Sequence, residues 1–255
     1  MREPVVVIGI GEMGRLFAGG ILRAGHPVYP VTREMDLARE SGLIPGPEMV
    51  LVAVGEKDLA DVLDRMPETW RDRVCLVQNE LLPHHWRDHR IVRPTVVAVW
   101  FEKKRNRDLR IVLPSPVYGP KAQRLLSALG CLEIPALEVA EANEMLYEMV
   151  RKNLYILTTN IAGLVTGGRV GELWSEHRAL TRDVANEVLE IEEWLVRESL
   201  PRERLLAGMV EAIQAGPDRE CAGRSARARL LRCLKIADEA GLAASRLRKI
   251  GAELS

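Results

Sequence analysis

The sequence has no excess of charge of either sign. Its 36 Lys and Arg balance 36 Asp and Glu, for a formal net charge of +0 at pH 7. That argues against a nucleic-acid protein that works through bulk positive charge. Long apolar runs are missing too. None reaches the roughly 20 residues that a bilayer span needs, so no membrane partner is expected. The opening does not read as a secretory signal, because a glycine turn already begins at Gly9, and a cytoplasmic location is expected. Cysteine is scarce. Cys75, Cys131, Cys221 and Cys233 are scattered and form no Cys-x-x-Cys pair, so they read as reduced thiols. Metal-ligand patterns are equally thin. His85 and His89 are four apart, a spacing that could share a metal on a helix. No further ligand stands at a matching spacing, and Pro83 and Trp86 suggest a turn, so His84, His85 and His89 read as a surface cluster. Internal repeats and low-complexity segments are absent.

What is present begins at Val5. Val5-Val6-Val7-Ile8 is a short apolar run that reads as a buried parallel strand, and Gly9, Gly11 and Gly14 follow it. That is the spacing of a dinucleotide-binding turn. One glycine makes the tight turn, one lets backbone approach a pyrophosphate, and one lets the next helix pack on the strand. Glu12 and Met13 lie inside the turn, where the helix begins and its free amides favour an anion. Val28 to Val31 reads as a second strand. It ends at Thr32-Arg33, beside the ribose of a bound adenosine. Arg33 would pair with the 2′-phosphate of NADP, whereas Glu34 or Asp36 would bond the 2′-hydroxyl of NAD. Arg33 comes first, which favours NADP(H).

The chain of 255 residues has room for two domains. Met49 to Val54, Val74 to Val77, Ile91 to Trp100 and Ile111 to Leu113 are further strand candidates. Residues 41–48 read as a loop. Asp58 reads as the cap of a helix over Leu59 to Met66. A helix follows Gly119-Pro120 and ends at Gly130. Strand and helix thus alternate to about residue 135, the pattern of a parallel, helix-covered sheet. Glu138 to Val165 reads as one long helix, and helices are expected over Arg178 to Glu198, Arg202 to Gln214, Arg224 to Ala240 and Ala243 to Glu253. The expected architecture is α/β: a Rossmann-type doubly wound sheet over residues 1–135, then an all-helical domain over 136–255 for substrate and a candidate homodimer contact.

Chemistry points to the long helix. Asn153 to Val165 carries no charge and is apolar nearly all round, so it is expected to be buried. Lys152 stands at its edge, and Asn160 lies about 80° further round. A lysine at a desolvated cleft can serve as a general acid, and a buried asparagine needs hydrogen-bond partners that a polar substrate could supply. The plainer alternatives are a snorkelling lysine and a core asparagine bonded to backbone. The arginines at 224, 227, 229 and 232 read first as a solvated face.

In these motifs the chain resembles the NADP-dependent ketopantoate reductases, the 2-dehydropantoate 2-reductases, over nearly its whole length. The resemblance rests on the opening glycine turn, on Arg33 after the second strand, on Gln78-Asn79, on Lys152-Asn153-Leu154 with Asn160, and on Gly171-Glu172-Leu173. It implies an NADPH-dependent reductase of a small 2-keto acid, of the kind used in pantothenate biosynthesis. Lys152 is the implied general acid, Asn79 lies by nicotinamide and substrate, and Asn160 helps hold the substrate. The sequence also departs from the family. Glu80 replaces the glycine after Asn79, and Ile156 falls where the family has a further asparagine. Arg227 falls where the family has its acidic substrate ligand, and would suit an acidic substrate group. That last change keeps open a second reading, an NADP(H)-binding sensor or partner-binding protein without catalysis. Other two-domain dehydrogenases, such as imine reductases and 3-hydroxy acid dehydrogenases, share the expected architecture but not the Gln78-Asn79 and Lys152-to-Asn160 matches.

Overall fold

The first strand is buried along its whole length, as an apolar run must be when helices cover both faces of a sheet. In the computed structural model, which describes residues 2–103 and 107–254, this strand is β1 (Val5–Ile8). It pairs in parallel with β2 (Val28–Val31) on one side and β3 (Met49–Val52) on the other. β4 (Val74–Leu76) and β5 (Thr95–Val97) extend the parallel run. After a small antiparallel pair, β6 (Phe101–Glu102) with β7 (Arg110–Ile111), β8 (Ser115–Tyr118) joins β5 antiparallel and β9 (Ala136–Glu138) joins β8 in parallel. The sheet order is β2-β1-β3-β4-β5-β8-β9. The chain crosses from one side of β1 to the other between β2 and β3, so a topological switch point lies beside β1. Ligands of open α/β sheets bind outside the carboxyl ends of the strands at such a point.

Alternating residues of these strands face opposite layers. Val5, Val7, Met49, Leu51, Cys75 and Val97 form one core with Phe17 and Ile21 of α1 (Glu12–Arg23). Val6, Val50, Val52 and Leu76 are buried just as fully on the other face. Helices α2 (Leu37–Leu43), α3 (Leu59–Asp64) and α4 (His84–Arg87) fill the connections, and α5 (Ala122–Gly130) adds Ala122, Leu125, Ala128 and Leu129 to the α1 core. At Gly20 a β-carbon would lie 2.4 Å from the Ala128 carbonyl oxygen, so α1 and α5 approach at backbone distance there.

The first compact unit ends at Glu148 and the second begins at Met149. The sheet therefore outruns the boundary expected near Pro135. β9 is three residues long and half exposed, so it carries no apolar run to announce it. β8 was also absent from the expected strands, because Pro116 demotes that run. Residues 41–48 are not all loop, since α2 reaches Leu43. Asp58 makes no capping bond, and lies in a 3₁₀ turn ahead of α3. A capping bond does form at α2, where the Arg39 backbone N–H donates to Asp36 Oδ1 at 2.8 Å.

The second unit is helical. It takes in the greater part of α6 (Ala142–Thr166), then α7 (Val170–Ser175), α8 (Arg178–Val196), α9 (Arg202–Ala215), α10 (Ala226–Ala240) and α11 (Ser245–Glu253). Its apolar side chains recur at helical spacing, as in Val184, Val188 and Ile191 on α8 and Leu205, Met209 and Ala212 on α9, and all are buried. α7 was not expected. It is one short helix, started by Glu172, whose carboxylate accepts from the Arg169 backbone N–H at 2.7 Å. No helix among the described residues is long and apolar enough to cross a membrane.

The thiols test this packing. Burial pushes Cys75 up to about 12 and Cys221 up to about 11, while Cys131 is exposed. The thiolate is the reactive form, so only Cys131 is expected to label quickly in the native chain at neutral pH. Intact-mass spectra should then show one fast adduct. Rapid labelling of Cys75 would contradict its place in β4.

Candidate active site

The glycine turn takes the conformation its spacing implies. Gly9 has a φ of +93°, a left-handed value, and a β-carbon there would meet the Ala53 carbonyl oxygen at 2.9 Å. At Gly14 a β-carbon would lie 1.9 Å from the Gly9 carbonyl oxygen, so α1 packs directly on the turn. Gly11 is different. It is the N-cap of α1 with φ −75° and ψ −168°, values open to any residue, and nothing lies within 4 Å of its missing side chain. Internal packing therefore gives no reason for a glycine at this position. No side chain caps the helix either, which leaves its first-turn amides for a ligand. A pyrophosphate fits this open backbone. Glu12 and Met13 are half buried in the first turn, and Met13 packs against the core.

Next along the carboxyl edge is the turn after β2. Arg33 is exposed there. The two acids nearby each make a local contact. Asp36 caps α2. Glu34 is held below the usual carboxylate range by a hydrogen bond with Thr32.

On the other side of β1, the end of β4 carries Gln78, Asn79 and Glu80. Gln78 is buried and clips two strand ends together. Its Nε2 donates to the Val52 and Val54 carbonyls at 2.7 and 3.3 Å, and its Oε1 accepts from the Val77 N–H at 3.1 Å. This positioning role was not read from the sequence, where Gln78 entered only as part of a motif. Asn79 follows it, half buried, and its side chain bonds no described residue. Among the described residues nothing occupies its amide, which lies at the same edge as Gly9 and Gly11. Glu80 has a φ of +55°. This left-handed backbone costs a non-glycine residue about 1–2 kcal/mol, so glycine would suit this position better.

In the second unit, Lys152 lies deeper than expected. It is 3 % exposed, so it does not sit at a solvated edge. Asn153 and Glu192 are as deep, at 1 % and 2 %, and Asn153 Nδ2 donates to Glu192 Oε2 at 3.3 Å. Arg151 anchors the same turn through the Gly208 carbonyl and Glu211. Along α6, Leu154, Leu157 and Ile161 are buried, as the apolar segment implied, while Ile156 and Asn160 are half exposed. Asn160 is engaged at both ends. Its Nδ2 donates to the Cys221 carbonyl at 3.2 Å, and its Oδ1 accepts from Arg229 Nη1 at 2.8 Å.

Arg227, where the resemblance implied a substrate ligand, is exposed. Arg229 is the arginine that turns toward Asn160. Helix phase decides this. The buried stripe of α10 is Ala226, Leu230, Cys233 and Ala237, and Arg229 flanks Leu230. An arginine pattern at 224, 227, 229 and 232 does not single it out until that stripe is known.

The histidines are used locally. His85 Nδ1 accepts from the Leu82 N–H at 3.1 Å, and burial pushes its pKa down. His89 Nδ1 pairs with Asp64 Oδ1 at 2.7 Å. Among the described residues no group of His, Cys, Asp and Glu could hold a metal ion.

No protein-family model matches this chain, and no curated protein sequence does. Solved structures do match its fold. A 2-dehydropantoate 2-reductase from Methylococcus capsulatus is 12% identical with a TM-score of 0.70, over 98% of this chain and 95% of that one. A dimeric ketopantoate reductase from Staphylococcus aureus is 15% identical with a TM-score of 0.67, over 98% and 97%. A D-mandelate dehydrogenase in complex with NADH is 11% identical with a TM-score of 0.68, over 98% and 96%. The chain thus has the ketopantoate reductase fold, a Rossmann-like domain followed by a helical one.

Proposed function

We propose that this chain is an NADPH-dependent reductase of a small 2-keto acid. The reading is supported by one observation above the others: Gly11 is a glycine that internal packing does not require, at the turn where a pyrophosphate would lie. The same fold serves ketopantoate reductases and an NADH-bound D-mandelate dehydrogenase.

When bound, the cofactor supplies a hydride to the carbonyl carbon. The chain's own residues do the rest. The glycine turn and the first amides of α1 hold the pyrophosphate, and Arg33 pairs with the 2′-phosphate. Gln78 fixes the ends of β3 and β4, so Asn79 has a set position from which to orient nicotinamide and substrate. Lys152 gives its proton to the carbonyl oxygen as negative charge builds there, and stabilises that charge beforehand. Asn160 and Arg229, held by each other, bind the substrate's carboxylate, a task for which a guanidinium fork is well shaped. Arg229 takes this place rather than Arg227. A homodimer is part of the proposal, by analogy with the dimeric neighbour.

The reading is tested by mixing the purified chain with NADPH and a panel of 2-oxo acids and following the nicotinamide absorbance. Turnover of at least one acid is expected, and tight NADPH binding with no turnover would favour a sensor instead. Arg33→Ser should weaken NADPH by at least about tenfold, because a charged hydrogen bond is lost, and leave NADH affinity nearly unchanged. Equal losses for both cofactors would remove Arg33 from the 2′-phosphate.

A further inference from the structure

The first unit has a second charged surface, at the opposite end of its strands. Arg73 immediately precedes β4, and Arg93 lies two residues before β5. With Arg71 and Arg90 they line a groove of about 720 Å³. The glycine turn follows β1, which runs parallel to these strands, so the groove is at the amino edge and the dinucleotide turn at the carboxyl edge.

The four guanidinium groups fall into two kinds. Arg71 and Arg73 form the anchored pair. Arg71 Nη1 donates to the His89 carbonyl and Arg73 Nη1 to the Pro47 carbonyl, both at 2.6 Å. Their Nε atoms face Glu68 and Asp72 only loosely, at 3.3 and 3.5 Å, and those carboxylates are mostly in water. Arg90 and Arg93 are exposed, and their guanidinium groups bond no described residue. Arg90 is also held in left-handed backbone, at a φ of +61°. This turn closes α4, where the Ile91 N–H donates to the Trp86 carbonyl and the Arg90 N–H to the Arg87 carbonyl, both at 3.0 Å. The lining therefore carries four cations against two acids, and two of those cations have no partner among the described residues.

We propose that this groove binds a polyphosphate group, with Arg90 and Arg93 as its clamp and Arg71 and Arg73 as its fixed wall. Arginine forks match phosphate oxygens in pairs. The volume lies within the roughly 300–1,000 Å³ of small-molecule sites, which favours a compact ligand over an acidic polypeptide. Neither the glycine turn nor Lys152 takes part, so this site stands whether or not the chain is a reductase.

The test is calorimetric titration of the full chain with inorganic tripolyphosphate, alone and with saturating NADPH. With NADPH saturating the glycine turn, one saturable site is expected, and it is weakened by salt. The double variant Arg90→Asn, Arg93→Ser keeps a residue tolerant of left-handed backbone at 90. It should bind at least about tenfold more weakly, with NADPH affinity unchanged. Tighter binding of adenosine triphosphate would mark a nucleotide as the source, and equal binding the polyphosphate group alone. No saturable binding, displacement by NADPH, or unchanged binding by the double variant would overturn the site. So would binding of polyglutamate without binding of tripolyphosphate, which would mark a protein-docking surface.

Discussion

Gly11→Ala should fold as well as the parent chain and bind NADPH about ten- to a hundredfold more weakly. The two halves of that expectation have separate causes. Nothing lies within 4 Å of the position a β-carbon would take, and the backbone angles suit an alanine. An N-cap exchange of this kind costs about 1 kcal/mol or less. The methyl group would instead meet the proposed pyrophosphate, and overpacking of that sort costs about 1–3 kcal/mol, a range that brackets the stated loss of affinity. Gly14→Ala is the contrasting control. Its methyl group would meet backbone at 1.9 Å, so both stability and binding should fall. Thermal melts with fluorescence titration of NADPH separate the two. If Gly11→Ala binds normally, the turn does not carry the cofactor.

Lys152→Met should lower kcat by about 10²- to 10⁴-fold, the usual contribution of a positioned general acid. Methionine keeps an apolar stem in a site that is 3 % exposed, so the fold should survive where a smaller residue would leave a cavity. NADPH affinity should stay within about threefold of the parent, because the role proposed for Lys152 is on the substrate oxygen and not on the dinucleotide. The check is steady-state kinetics on whichever 2-oxo acid turns over fastest, beside a binding titration. A variant that keeps its kcat would assign Lys152 a structural part only.

The first fourteen residues were the most readable part of this chain. A strand buried on both faces has to be apolar throughout, and a tight turn with a helix packed on it has to be glycine at Gly9 and Gly14. Both demands leave marks in sequence. The second half of the sheet left fewer. β8 contains a proline, and β9 is short and half exposed, so neither shows the period or apolarity of a buried strand. Their places are set by neighbours far along the chain. The helical half was readable in outline, since buried stripes recur at helical spacing. Its polar residues were not. Whether Arg227 or Arg229 meets Asn160 depends on the rotation of α10, which its buried stripe fixes only after packing. Likewise a lysine beside an apolar run reads as snorkelling or as standing at a cleft mouth, and only the fold shows how deeply Lys152 is buried. Glu80 is a mismatch of a different sort. Its side chain obeys no local rule, and only its backbone angle explains why glycine suits that position.

Hydride transfer itself is the point on which this account stands. The direct measurement uses NADPH deuterated at the transferable position, incubated with the chain and a 2-oxo acid, followed by mass analysis of the hydroxy acid formed. Deuterium on the carbon that bore the carbonyl is the predicted result, and Lys152→Met should form that product far more slowly. Saturated NADPH sites with no labelled hydroxy acid from any member of the panel would contradict it.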